Sequence, residues 1–280
     1  MIESKINGDS MNKLLLSGAL ATLLTSSLMA KDISTYEYAA FKSSDSVKKA
    51  LTANGMEVVG EYDAMQNPDY HVIAYTNPAL KKDASKDDEN GFAAVQKVLV
   101  DKKDNTLVLT NPEYFLRAFL EDDFQESTAE DLNKALSTAF GKLSGSKDAL
   151  EDDDLAEYHF MMGMPYYDDM IEVAKGKNLL EKLKKNAGKN IVFEIKLKDA
   201  TLVGVAMPTK DGESSYVPAI KGEKQAAFLP YMVLVEDDEA EILHPKYYLA
   251  ISYPQLSMGQ FMTISSTPGD IEDYMESLFK

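Results

Sequence analysis

Asn111-Pro112-Glu113-Tyr114-Phe115-Leu116 returns later in the chain as His244-Pro245-Lys246-Tyr247-Tyr248-Leu249. Reading outward, Val98-Leu99-Val100-Asp101 has a partner in Val233-Leu234-Val235-Glu236. Ile73-Ala74-Tyr75-Thr76-Asn77-Pro78 has one in Val203-Gly204-Val205-Ala206-Met207-Pro208. Ser127-Thr128-Ala129-Glu130-Asp131-Leu132 matches Ser266-Thr267-Pro268-Gly269-Asp270-Ile271, a register that carries Phe140 onto Phe279. Four matches in order, shifted only as loop insertions would shift them, are the mark of an internal repeat.

Each copy reads as β-α-β-β-β-β-α. In the first, Tyr36–Phe41 is a strand and Ser43 or Ser44 caps a helix that stops at Asn54-Gly55. Strands follow at 56–62 and 70–75, then a hairpin of 94–100 with 106–109. Pro112 opens a short helix. Leu132, Ala135, Leu136, Ala139, Phe140 and Leu143 line one face of the last helix, with a capping box from Ser127 or Thr128. The second copy is predicted to have a strand at 157–163, a helix at 167–187 that Gly176 interrupts, and strands at 191–197, 202–207, 228–235 and 240–243. Its last helix is capped by Thr267. The expected fold is α+β: two tandem two-layer sandwich domains, each an antiparallel-rich sheet with helices on one face. The expected boundaries are 1–30 for a leader, 31–145 for the first domain, 146–154 for an acidic linker and 155–280 for the second domain. Each domain is expected to have its own core, closed by its C-terminal helix.

Asn77-Pro78, Gly55-Met56-Glu57-Val58-Val59, Ala226-Ala227-Phe228-Leu229-Pro230-Tyr231-Met232-Val233-Leu234-Val235 and Pro245-Lys246-Tyr247-Tyr248-Leu249 together resemble the bacterial domain-of-unknown-function family numbered 302. The first copy departs at Ala94-Val95, where Leu-Pro is expected. The resemblance implies a small α/β sandwich and carries no catalytic residues that can be transferred.

The chain has 280 residues, no cysteine, no tryptophan and a formal charge of −17. The charge is unchanged without the first thirty residues, because Lys5 and Lys13 there offset Glu3 and Asp9. Such a surface repels nucleic acid and anionic lipid. Lacking cysteine, the chain has no thiolate nucleophile, no CxxC pair and no thiolate metal site. Met11-Asn12-Lys13, the apolar run Leu14–Leu28 and Ala30 before Lys31 form an export signal, predicted to be cut after Ala30. The run is short for a membrane span, which needs about 20 residues. The product is expected in the periplasm or outside the cell, with no stable membrane insertion after cleavage.

No nucleophile elbow, glycine-rich phosphate loop or dinucleotide fingerprint is present. The histidines are His71, His159 and His244, and none recurs in the other copy. His159-Phe160-Met161-Met162-Gly163-Met164 offers imidazole and thioether, which are ligands for copper(I) and haem. On a strand, His159 and Met161 share one face while Met162 and Met164 share the other. His159 and Met161 are therefore the candidate metal ligands, set against methionines that merely fill core. Tyr114 and Tyr247 recur and can edge a core or line a pocket. Asp168-Asp169, Glu121-Asp122-Asp123 and Glu236-Asp237-Asp238 read as solvated acidic turns. The expectation is an exported binding or interaction protein with no evident catalytic constellation, recognising a small molecule or a protein, its copies packed as an intramolecular pseudo-dimer. The alternative is a periplasmic copper- or haem-handling protein.

Overall fold

A computed structural model describes residues 31–280. The expected leader and its cleavage point lie outside the described residues. The first half runs β1 (Asp32–Ser34), β2 (Tyr36–Ala40), α1 (Ser44–Ala53), β3 (Glu57–Asp63), β4 (Tyr70–Thr76), α2 (Pro78–Asp83), β5 (Gln96–Asp101), β6 (Thr106–Thr110), α3 (Pro112–Leu120), α4 (Glu126–Phe140), β7 (Ser144–Gly145) and β8 (Ala149–Glu151). After one helical turn, α5 (Asp152–Leu155), come β9 (Ile171–Lys175), α6 (Leu179–Ala187), β10 (Ile191–Lys196), β11 (Thr201–Val205), α7 (Glu213–Ala219), β12 (Tyr231–Val235), β13 (Glu239–Ile242), α8 (Pro245–Ser252), α9 (Met258–Thr263) and α10 (Thr267–Ser277).

The fold is α+β. One antiparallel sheet has the order β3-β4-β5-β6-β2-β7, and the other has β10-β11-β12-β13-β9. Apart from the short β7, the two orders match element for element. Alternation along the strands sets the faces. Val98 and Val100 of β5 join Ile73, Tyr75, Leu107 and Leu109 under Val47 and Leu51 of α1 and Leu136 and Phe140 of α4. Val72, Ala74, Leu99 and Val108, on the opposite face, belong to a larger cluster that continues into the second half through Leu202, Met232, Leu234 and Tyr248. Burying each such Leu or Val contributes about 1.5–3 kcal/mol, so the face between the halves stabilises the fold as much as the helix layer does.

Two 3₁₀ segments fill that inner space. Glu89–Ala94, before β5, packs on β11 and β12, while Glu223–Phe228, before β12, packs on β4, β5 and β6. Gly91 lies so close to the second sheet that a Cβ would overlap the Leu234 side chain. Each half thus places a segment beneath the other's sheet, the self-complementary arrangement of a two-fold interface. The first half keeps a core of its own, closed by α1 and its C-terminal helix α4, while the exchange joins the inner faces of both halves in a second, shared core. The edge strands β3 and β10 also meet. Both bulge at equivalent points, Val59 and Val192, and Gly60 has no room for a Cβ against the Val192 carbonyl. An edge that would otherwise invite pairing with another chain is covered in this way.

The predicted strand at 157–163 is instead irregular, with a turn in which the Met164 N–H donates to the Met161 carbonyl at 2.9 Å. The predicted helix at 167–187 is a strand, 171–175, followed by a helix from 179. Gly176 at φ +133° separates them, a conformation only glycine takes readily. The capping boxes are also absent. The α4 helix begins after Gln125 with no side-chain cap, and Thr128 donates instead to Asp83 at 2.6 Å. Thr267 lies inside α10, after Ser266. The acidic stretch 146–154 is folded on the first half, with β8 pairing to β1 and the Ser146 N–H donating to the Tyr36 carbonyl at 2.8 Å.

Candidate functional site

The edge strands β3 and β10 leave a cleft of about 280 Å³ between the halves, lined by Glu61, Tyr62, Asp63 and Gln66 from one side and by Asn190, Val192, Met207 and Glu213 from the other. That volume is near the lower end for small-molecule sites. Its wall contains a backbone outlier. Met65 and Gln66 are consecutive non-glycine residues at φ 57° and 55°, a conformation that costs about 1–3 kcal/mol per residue and persists only where neighbours impose it. Glu213 imposes it from the other half. Its carboxylate accepts the Met65 N–H at 3.1 Å, the Met207 N–H at 3.1 Å and the Tyr62 hydroxyl at 3.1 Å. Burial raises the Glu213 carboxyl above its usual range, against the pull of those donors and of the Lys97 charge.

At the cleft mouth, His71 bridges two carboxylates, Nδ1 to Asp63 at 2.7 Å and Nε2 to Glu61 at 3.2 Å. Lys48 reaches Glu61 at 2.8 Å. Burial pushes the Glu61 carboxyl up, but hydrogen bonds from Lys48 and His71 outweigh it and hold it below the usual range. The lining holds three carboxylates, Glu61, Asp63 and Glu213, and one lysine, Lys189.

Deeper between the halves, Lys97 is 3% exposed. Its Nζ donates to the Phe228 carbonyl at 2.6 Å and to the Tyr248 hydroxyl at 3.2 Å. Burial pushes its pKa down to about 7, and the Glu213 charge opposes that shift. An amine half-deprotonated at neutrality is a competent nucleophile in principle. Here the adjoining cavity of about 10 Å³, walled by Phe115, Phe119, Phe228 and Met232, holds about one water. Lys97 therefore joins the halves through Phe228 and Tyr248.

The sequence-predicted residues fall elsewhere. His159 rests its ring on Tyr166, centroids 4.4 Å apart, and Met161 is half-exposed in the turn. No group of three or more His, Asp or Glu among the described residues is placed to hold a metal. His244 is the N-cap of α8, where Nδ1 accepts the Lys246 N–H at 3.2 Å, and its repeat partner Asn111 caps α3 by accepting from Glu113 at 3.1 Å. Burial, then Lys246, holds the His244 imidazole below its usual range. Tyr114 and Tyr247 are buried core tyrosines. Of the acidic turns, Glu121 and Asp168 are brought together across the halves, and Glu121 stands at φ 44°. Burial first, and Asp168 second, push the Glu121 carboxyl up to about 7.

Comparison with protein-family models, with curated proteins and with solved structures finds no match to this chain.

Proposed function

We propose that this is an exported binding protein made of two duplicated α+β domains, with the cleft between them as its ligand seat. The observation that carries this reading is the shared wall: Tyr62 and Met65 of one half are held on Glu213 of the other. A strained, polar turn fixed beside a concave surface at the join of two like halves is where a ligand of both is accommodated. The carboxylates at the mouth favour a small neutral or cationic molecule with an apolar body over an anion. On this reading the resemblance to family 302 covers both halves, and the N-terminal leader delivers the protein to the periplasm.

The test is a thermal-shift screen of the purified protein against organic amines, neutral metabolites and organic acids. A ligand at 100 times its Kd stabilises by about 2.7 kcal/mol, which raises Tm by roughly 5–10 °C in a chain of this size. An amine or neutral compound should give that rise, and Asp63→Asn or Gln66→Ala should diminish it. No shift with any compound, or a shift indifferent to both substitutions, overturns the proposal. Mass spectrometry of exported protein should place its N-terminus at Lys31.

A further inference from the structure

The second half carries two pieces without counterparts in the first: the loop 156–170 and helix α9. They pack on one another. The Phe160 ring stacks on Phe261 of α9, centroids 5.8 Å apart and planes 23° apart. Met258 and Met262, one turn apart on α9, flank Phe261 and are 42% and 61% exposed. Met161 and Met162 follow Phe160 and are 46% and 95% exposed. With Tyr166, these methionines are the large exposed hydrophobic side chains among the described residues, and they lie on these two pieces alone. Neither piece is loosely held. The α9 helix has a reciprocal capping box between Ser257 and Gln260, and Gln260 also donates to the Ile220 carbonyl at 3.2 Å. The loop is pinned by Tyr167, whose hydroxyl donates to the Glu89 carbonyl at 2.6 Å.

Charge says what kind of partner fits. The loop 156–170 carries Glu157, Asp168 and Asp169, all exposed, and no lysine or arginine, while Lys221 lies on the far side of α9, beside Gln260. Unbranched, polarizable methionine side chains adapt to varied apolar shapes. An exposed apolar patch beside polar residues marks an interaction surface. A second copy would bring together two chains of −17 each, and an anionic bilayer would be repelled in the same way.

We infer that the methionine surface formed by loop 156–170 and α9 docks a basic amphipathic helix of a partner protein, its apolar face on the methionines and its lysines or arginines on the loop carboxylates Glu157, Asp168 and Asp169. Recognition of this kind buries an apolar helix face in a groove while the charges guide and orient the encounter.

Fluorescence anisotropy with a dye-labelled 18-residue Leu/Lys amphipathic peptide tests it, with Leu/Glu and Ser/Lys peptides of the same pattern alongside. The Leu/Lys peptide should bind at least roughly tenfold more tightly than either control, since both apolar burial and charge are needed. The double substitution Met162→Ser, Met262→Ser, at sites exposed enough to leave the fold intact, should weaken it roughly tenfold, with an unchanged Tm as the folding control. Equal binding of the Ser/Lys peptide reduces the effect to bulk charge and overturns the inference. So does full affinity in the double variant, or a dimer in sedimentation equilibrium that the double substitution dissolves, which would make the occupant a second copy.

Discussion

Tyr114 and Tyr247 are each hydrogen-bonded to the other's helix. The Tyr114 hydroxyl donates to the Ile251 carbonyl in α8 at 2.8 Å, and the Tyr247 hydroxyl donates to the Ala118 carbonyl in α3 at 3.2 Å. Donors and acceptors alike are 133 positions apart, so the pair obeys the two-fold relation of the sheets. Removing one hydroxyl leaves a buried carbonyl unpaired, at a cost of about 1–3 kcal/mol. Tyr114→Phe and Tyr247→Phe should therefore lower unfolding free energy by similar amounts in urea titrations. A loss confined to one of them would show that the two-fold geometry is not matched by the energetics.

Lys97 makes stability depend on pH above neutrality. Its folded pKa is about 7 against an ordinary 10.5. Between those values the unfolded chain holds the proton and the folded chain does not, so stability rises with pH. The contribution is complete above 10.5 and is lost as pH falls to about 7. The Tm of the protein minus that of Lys97→Met should climb from pH 7 to pH 10. A flat difference would mean that Lys97 keeps its proton inside.

Glu121 works in the opposite sense and in a lower window. Its folded pKa, about 7, lies above the ordinary 4.5. Its contribution is therefore complete below 4.5 and is lost as pH rises through about 7. The groups facing it are Asp168, Glu89 and Asp122, all acidic. Glu121→Gln should be more resistant to heat than the parent at pH 8, by a few degrees, with the gap closing at pH 4.5. A gap that stays constant with pH would show that the strained backbone, and not the charge, is what the substitution relieves.

Gly60 and Gly91 both lack space for a methyl, but for different reasons. A Cβ on Gly60 meets the Val192 backbone carbonyl, whereas one on Gly91 meets the end of the Leu234 side chain. Backbone cannot turn aside and a leucine can. Overpacking costs about 1–3 kcal/mol, and Gly60→Ala should lie at or above the top of that range, with Gly91→Ala near the bottom. Leu234→Ala should partly rescue Gly91→Ala and do nothing for Gly60→Ala. Chemical denaturation of the four variants decides it.

Where the chain repeats, the fold was legible. The β5–β6 hairpin and the proline-led helices at 112 and 245 follow from alternation and from proline at the first helical turn, which are local signals. The second half before Lys175 was not legible, because Glu172, Ala174 and Lys175 suit a helix as well as the strand they form. Only pairing with β13 decides between them. The cleft wall was hidden for a related reason. Nothing near Glu213 in sequence shows that its carboxylate secures a turn 148 residues earlier. One signal did exist for Lys97: a charge inside Val95-Gln96-Lys97-Val98-Leu99-Val100 must either face water or find buried acceptors, and β5 is covered on both faces. His244 and Asn111 were already aligned in the repeat, and capping is a role both residue types can fill.

In a homodimer built on the same two-fold, every mutation is made twice, so an apolar loop added to one subunit appears on both and doubles the sticky surface. Joining the halves in one chain removes that coupling. The loop at 156–170 and the helix at 258–263 stand in the second half alone; in the first half β1 precedes β2, and the short turn Glu121–Asp123 follows α3. The single covalent thread also makes assembly independent of protein concentration, so the molecule is expected to stay whole at dilutions where two separate subunits would part.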